Sequence, residues 1–278
     1  MLPRAFDSRN AVEYDDEDKT AMATNIHELR LSIVQASLQS GEGHIPSAFS
    51  ILDILIVLYN RILKFNPKNP ADPKRDRFVL SKGHSALGLY AVLADKGFFS
   101  KKELRTFGTF ASNLGGHPDS LKVPGVEVST GCLGHGFPAA VGMALALKIT
   151  KNKARVFAVI GDGESNEGSV WEAALLASHH KLDNLVCIVD YNHSTDRAVS
   201  VGDVVAKFSA FNWDAITVSG HDQKALYKAL TAKHPGKPFA IIATTIKGYG
   251  CTMMANNPAW HHKTPTKAEY AEIVQEWQ

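Results

Sequence analysis

The apolar positions of the chain follow two periods. Val156–Ile160, Leu185–Val189 and Phe239–Ala243 are short, continuous runs rich in β-branched residues, the pattern of strands buried on both faces of a parallel sheet. Ile216–Val218 is a weaker fourth run and Val126–Val128 a fifth. Between them, apolar residues recur at helical spacing. Ile26, Leu29, Ile33 and Val34 share one helical face, as do Ile51, Leu52, Leu55, Leu58 and Tyr59, with Ser50 ahead of them as N-cap. Pro138–Ile149 predicts a buried helix with proline in its first turn, and Val170–Ala177 another helix. Helices alternating with apolar strands predict an α/β fold: a doubly wound, mainly parallel sheet flanked by helices. No internal repeat is visible, and Asn66–Pro73 reads as a loop. Residues 21–278 are expected to form one domain behind a flexible acidic tail over 1–20, which holds the one clear charge run, Glu13–Asp18.

Composition narrows the class. With 45% hydrophobic residues in 278, bulk disorder is excluded, and 21 glycines and 3 cysteines exclude collagen-like and disulfide-scaffold classes. A formal charge of +2 carries no nucleic-acid footprint. Cys132, Cys187 and Cys251 are widely spaced, with no C-x-x-C pair, which fits a reducing cytoplasm. The most apolar stretch, Phe49–Leu58, contains Asp53 and is far short of the roughly 20 residues that span a membrane. No apolar signal region opens the chain. A soluble, cytoplasmic protein with neither membrane nor nucleic acid as partner is expected.

In a doubly wound sheet, ligands bind outside the carboxyl ends of the strands. Gly161-Asp162-Gly163 follows one strand, and Asp190-Tyr191-Asn192 follows the next, with Asn192 thirty positions after Asp162. That span holds one helix and one strand, so the crossover returns both side chains to the same edge. A carboxylate and an amide oxygen there suit one hard cation such as Mg²⁺, with room left for phosphate oxygens, and the glycines let backbone approach a diphosphate. Gly134-His135-Gly136-Phe137-Pro138-Ala139 also matches the dinucleotide fingerprint G-x-G-x-x-A. A nicotinamide dehydrogenase would leave Asn192 and most histidines unused. Of the 12 histidines, His44, His84, His117 and the pair His261-His262 sit in loops rich in Gly, Pro or Ser, where imidazoles can meet hydroxyls and phosphates. No H-E-x-x-H is present, which argues against a zinc hydrolase. His179 and His180 close a helix, and His221 and His234 read as structural or solvent-facing.

Taken together, Gly43-His44, Ser81-Lys82-Gly83-His84, Gly116-His117-Pro118, Gly131-Cys132-Leu133-Gly134, Gly161-Asp162-Gly163, Glu167-Gly168, Asn192, Lys247-Gly248-Tyr249-Gly250 and Asn257-Pro258-Ala259-Trp260-His261 resemble the N-terminal, diphosphate-binding half of transketolase, from about Ile26 to Tyr270. The resemblance implies thiamine diphosphate and Mg²⁺ (Ca²⁺ or Mn²⁺ can substitute) as cofactors. Asp162, Asn192 and the Ser194 carbonyl would hold the cation, and Gly163, Asn192, His84 and His261 would contact the diphosphate. Gly131, Cys132 and Leu133 would line the thiazolium and aminopyrimidine. His44, His117 and His261 would meet the sugar hydroxyls, His84 would lie near the reacting centre, and Glu167 would join a carboxylate network at a dimer interface. It further implies a transferase of two-carbon ketol units, working as an α2β2 assembly with a separate C-terminal chain that supplies the aminopyrimidine site and the activating glutamate. The 2-oxoacid dehydrogenase subunits, deoxyxylulose phosphate synthase and a non-catalytic regulatory homologue are the alternatives. Departures from the family pattern at Ile45-Pro46, His135 and His193-Ser194-Thr195-Asp196-Arg197 leave the sugar open, and Arg197 is a candidate contact for an anionic substituent.

Overall fold

The computed structural model describes residues 24–196 and 198–277; the acidic tail and Arg197 lie outside the described residues. Five strands, β1 (Arg77–Leu80), β2 (Val156–Gly161), β3 (Leu185–Tyr191), β4 (Asp214–Ser219) and β5 (Phe239–Thr244), form one parallel sheet in the order β1-β2-β3-β5-β4. The α-helices are α1 (Ile26–Ser40), α2 (Ile45–Ser50), α3 (Leu52–Val57), α4 (Ala86–Asp95), α5 (Lys101–Leu104), α6 (Gly136–Ile149), α7 (Gly168–His179), α8 (Val204–Ala210), α9 (Gln223–Leu230) and α10 (Lys267–Glu276).

Strand side chains alternate between two apolar layers, as the two-residue period requires. Phe157, Val159, Val186, Ile188 and Ile241 pack with α1–α4 and α9, whereas Val156, Ala158, Ile160, Cys187, Val189 and Ile242 pack with α6, α7 and α8. The sheet is covered on both faces, as the continuous apolar runs predict.

Three local expectations are corrected. Val126–Val128 is not a strand: it follows the turn at Pro124-Gly125, and Glu127 turns back to pair with Arg75 and Arg77. The fifth strand is β1, whose apolar core is only Phe78-Val79-Leu80 between Arg77 and Ser81. Ser50 caps nothing. The helix breaks at Ile51, so Ser50 ends α2, and its hydroxyl lies 2.7 Å from Asp190 Oδ2 and 3.0 Å from the Ser47 carbonyl. Pro138 does sit in the first turn of α6, but that helix buries only one side, through Phe137, Ala140, Val141 and Ala144. Ile149 of α6, together with Leu175 and Leu176 of α7, is exposed.

Candidate active site

The carboxyl ends of β2 and β3 stand in register, Gly161 opposite Asp190. The next residues bring their oxygens to one point. The Ser194 N–H donates to Asp162 Oδ2 at 2.9 Å and to Asn192 Oδ1 at 3.1 Å, while the Gly163 N–H donates to Asp162 Oδ1 at 2.8 Å. His193, at φ +62°, turns the chain so that Ser194 reaches back between them. Burial pushes the Asp162 carboxyl above its ordinary range, against the pull of the Gly163 N–H. Among the described residues, no three His, Cys, Asp or Glu side chains gather around a metal-sized gap. One carboxylate and one amide oxygen nevertheless fit a hard cation that draws its remaining ligands from phosphate, water and backbone.

Beside this pair, a cavity of about 500 Å³ is lined by Asn192, Ser194, Thr245, Lys247 and His261 among others. Lys247 Nζ lies 3.0 Å from His261 Nδ1. Burial and Lys82 lower the Lys247 ammonium to about 8, and burial together with Lys247 lowers His261. His44, at the N-terminus of α2, faces three imidazoles, with ring centres 5.4 Å from His84, 5.5 Å from His261 and 4.4 Å from His262. Burial and the facing His262 bring His44 to about 4, and burial and Lys82 bring His84 to about 2. Both rings are therefore neutral at pH 7, each with one ring nitrogen that can accept a hydrogen bond.

The glycine loop closes against these histidines. A Cβ on Gly83 would come within 2.7 Å of the Gly131 backbone nitrogen, and one on Gly131 within 3.1 Å of the His117 ring, so only glycine permits this approach. Gly131 thus lies against Gly83, the residue before His84, and against the His117 ring, and Cys132 next to it is exposed. Glu167 is exposed at the N-terminus of α7, next to Gly134. His221 and His234 are structural: His221 Nε2 accepts the Ile246 N–H while Nδ1 meets Asp53, and His234 stacks on Phe239.

Sequence reasoning gave no site role to four charged residues, Asp190, Glu164, Lys82 and Lys247, and had His262 only as one of the loop histidines. Asp190, with no exposure, receives Lys82, Ser50, Thr245 and Asn192. Burial opposes its charge, but the Lys82 ammonium outweighs burial and holds it below the usual carboxylate range. Glu164, 1% exposed, accepts the Ser81 hydroxyl, the Gly134 N–H at 2.9 Å and the Gly161 N–H at 3.2 Å, and so staples three loops. Burial raises its carboxyl despite these donors. Lys247 and His262 complete the set. One signal was present: Asp190 and Asn192 are two apart on a strand and so share a face.

The dinucleotide reading fails on topology, since no strand leads into Gly134–Ala139 at the start of α6. Residues 19–277 match the family described as transketolase, thiamine diphosphate binding domain. The chain belongs to that family. It is 39% identical over 254 residues to one of the subunits of the apulose-4-phosphate transketolase of Phocaeicola vulgatus, a match that covers 89% of this chain and 90% of that protein. It is 42% identical over 269 residues to human transketolase, covering 94% of this chain but 43% of the human protein. The solved transketolase of Leishmania mexicana superposes with a TM-score of 0.82 at 29% identity, over 92% of this chain and 42% of that one. The chain therefore spans less than half of the one-chain transketolases and nearly all of the bacterial subunit.

Proposed function

We propose that the chain is the diphosphate-binding subunit of a two-chain transketolase. With a C-terminal partner chain it would move a two-carbon ketol unit from a ketose to an aldose, using thiamine diphosphate and Mg²⁺. The observation that carries this reading is the convergence of Asp162 and Asn192 on Ser194, beside a cavity that Asn192 and Ser194 share with His261, whose ring faces His44. Asp162, Asn192 and the Ser194 carbonyl hold the cation, and Gly163, Asn192, His84 and His261 hold the diphosphate. Gly131, Cys132 and Leu133 line the cofactor rings. Thiamine diphosphate, when bound, supplies the carbanion chemistry and the electron sink. His44, His117 and His261 orient the sugar hydroxyls. A neutral imidazole within reach of a hydroxyl takes or returns its proton as general base and acid. Lys247, charged below about pH 8, biases this pocket toward anions. The bacterial relative's name specifies apulose 4-phosphate, which supports a phosphorylated or otherwise anionic ketose here.

The partner reading draws on that relative, whose length is similar, and on the bare apolar residues Ile149, Leu175 and Leu176, since an exposed apolar patch marks an interaction surface. Glu167 lies at the start of the same helix, α7, where a partner carboxylate would reach it. An α2β2 assembly follows if two such pairs meet. Among the described residues no helix is long and apolar enough to cross a membrane, and the three unpaired cysteines fit a reducing cytoplasm.

Two measurements test this. The melting temperature should rise only when thiamine diphosphate and Mg²⁺ are added together. Ketol transfer should appear when the chain is mixed with its C-terminal partner and be absent without it. Robust turnover by the chain alone would overturn the two-chain reading, and a mixed pair that binds the cofactor yet transfers no ketol unit would overturn the activity.

A further inference from the structure

Resting on that reading, we infer that buried Asp190, paired with Lys82, is a positioning residue that fixes the Asn192 amide with its oxygen, not its nitrogen, toward the cation. The two ends of an amide are nearly equal in shape, so hydrogen-bond partners decide which way it points. Here both ends are pinned. Asn192 Nδ2 donates to Asp190 Oδ2 at 3.0 Å, and Oδ1 accepts the Ser194 N–H at 3.1 Å. A reversed amide would set its oxygen against the carboxylate and its NH₂ against an N–H, losing both contacts.

Asp190 can enforce this because other donors hold its carboxylate in place beside the Asn192 amide. An ionised carboxylate only accepts. Its donors come from four separate segments: Ser50 at the end of α2, Lys82 after β1, Thr245 after β5, and Asn192 itself. The Lys82 side chain is 2% exposed, so each charge compensates the other away from water. On β3, Asp190 stands opposite Gly161, next to Asp162. Asp190 therefore governs the cation site through Asn192 without belonging to the ligand set.

The test is Asp190→Asn in the full chain. The new amide can donate to Asn192 Oδ1, which frees Asn192 to turn its nitrogen outward. Mn²⁺ titrated by electron paramagnetic resonance with thiamine diphosphate present should bind about 10–100-fold more weakly, the loss typical of an outer partner of a metal ligand. The double variant Asp190→Asn with Asn192→Asp should recover most of that loss, because a carboxylate offers oxygen from either end. A purely structural defect would not be rescued. In the metal-free wild type, ¹⁵N-asparagine labelling should show the Asn192 side-chain NH₂ protected from exchange, a reading that needs no variant to fold. Unchanged Mn²⁺ affinity in Asp190→Asn, failure of the double variant to recover, or a freely exchanging Asn192 amide would each overturn the inference. A wild-type chain that takes up no Mn²⁺ with thiamine diphosphate would instead overturn the cofactor reading beneath it.

Discussion

The two halves of the candidate site are built differently. Around Asp162 and Asn192 nearly every polar atom is tied by a hydrogen bond to backbone or to a buried partner, with Asp190 and Glu164 as the knots. Around His44 the contacts are ring against ring, at 4.4 to 5.5 Å between centres. The first half is held in one arrangement, as the proposed cation would require. The second is a set of imidazoles whose protons and tilt can follow a substrate. Rigidity and adaptability are thus split between loops of the same sheet edge, and each half fails in its own way.

The sharpest break is Asp162→Ala. It removes the one carboxylate of the cation site, so the joint thermal stabilisation by Mg²⁺ and thiamine diphosphate should vanish. The loss of cation affinity should exceed the roughly 100-fold that outer partners reach. The metal-free melting temperature should fall only modestly, because losing the Gly163 and Ser194 N–H contacts is offset by removing a buried carboxyl whose charged form is disfavoured. A retained stabilisation would erase the distinction between the two halves.

His44→Ala should show the reverse profile. In the assembled pair, kcat/KM for ketol transfer should fall by about 10²- to 10⁴-fold, the range for a lost proton-transfer group. Melting of the free chain should shift by less than about 1 kcal/mol, since His44 makes ring contacts rather than buried hydrogen bonds. A large stability loss would show the rim to be as rigid as the cation side.

The convergence of Asp162 and Asn192 was legible in the sequence through its spacing alone: two strand ends, each followed by an oxygen-bearing side chain, with Asn192 thirty positions after Asp162. The histidines were legible by their company in glycine-rich loops. Glu164 and Asp190 were not. A charged residue at the end of an apolar run looks like a solvated strand end, and only folding shows that Ser50, Lys82 and Thr245 arrive to bury Asp190. Strand β1 escaped for a related reason, since three apolar residues between Arg77 and Ser81 carry no period. Its pairing with β2 is what brings Ser81, Lys82 and His84 to the site.

Glu164→Ala tests that hidden layer. It strands the Gly134 and Gly161 N–H groups and the Ser81 hydroxyl, and should cost about 3 kcal/mol in urea unfolding, with bound cofactor recovering only part of it. A neutral outcome would mean that water replaces the carboxylate and that the loops need no staple.

The last test is a pH slope. The folded chain holds His44 at about 4 and His84 at about 2, against an ordinary 6.5. Below pH 6.5 the unfolded chain binds protons that the folded one refuses. Stability of the cofactor-free chain should therefore decline from pH 6.5 toward 4, and a His44→Gln, His84→Gln variant should flatten the slope. Urea midpoints taken at pH 7, 6 and 5 give the comparison, and equal slopes would show that the rim takes up protons in place.

The parallel sheet also has a kinetic consequence. Between Leu80 and Val156 the chain builds α4, α5 and α6 before β2 can lie beside β1. Long-range parallel pairing of this kind is slow, and until it happens one edge of β2 stays open to other strands. A newly made chain thus passes through an interval in which this edge of the sheet is unformed and β2 is sticky, so its yield in the cell depends on how quickly that gap closes.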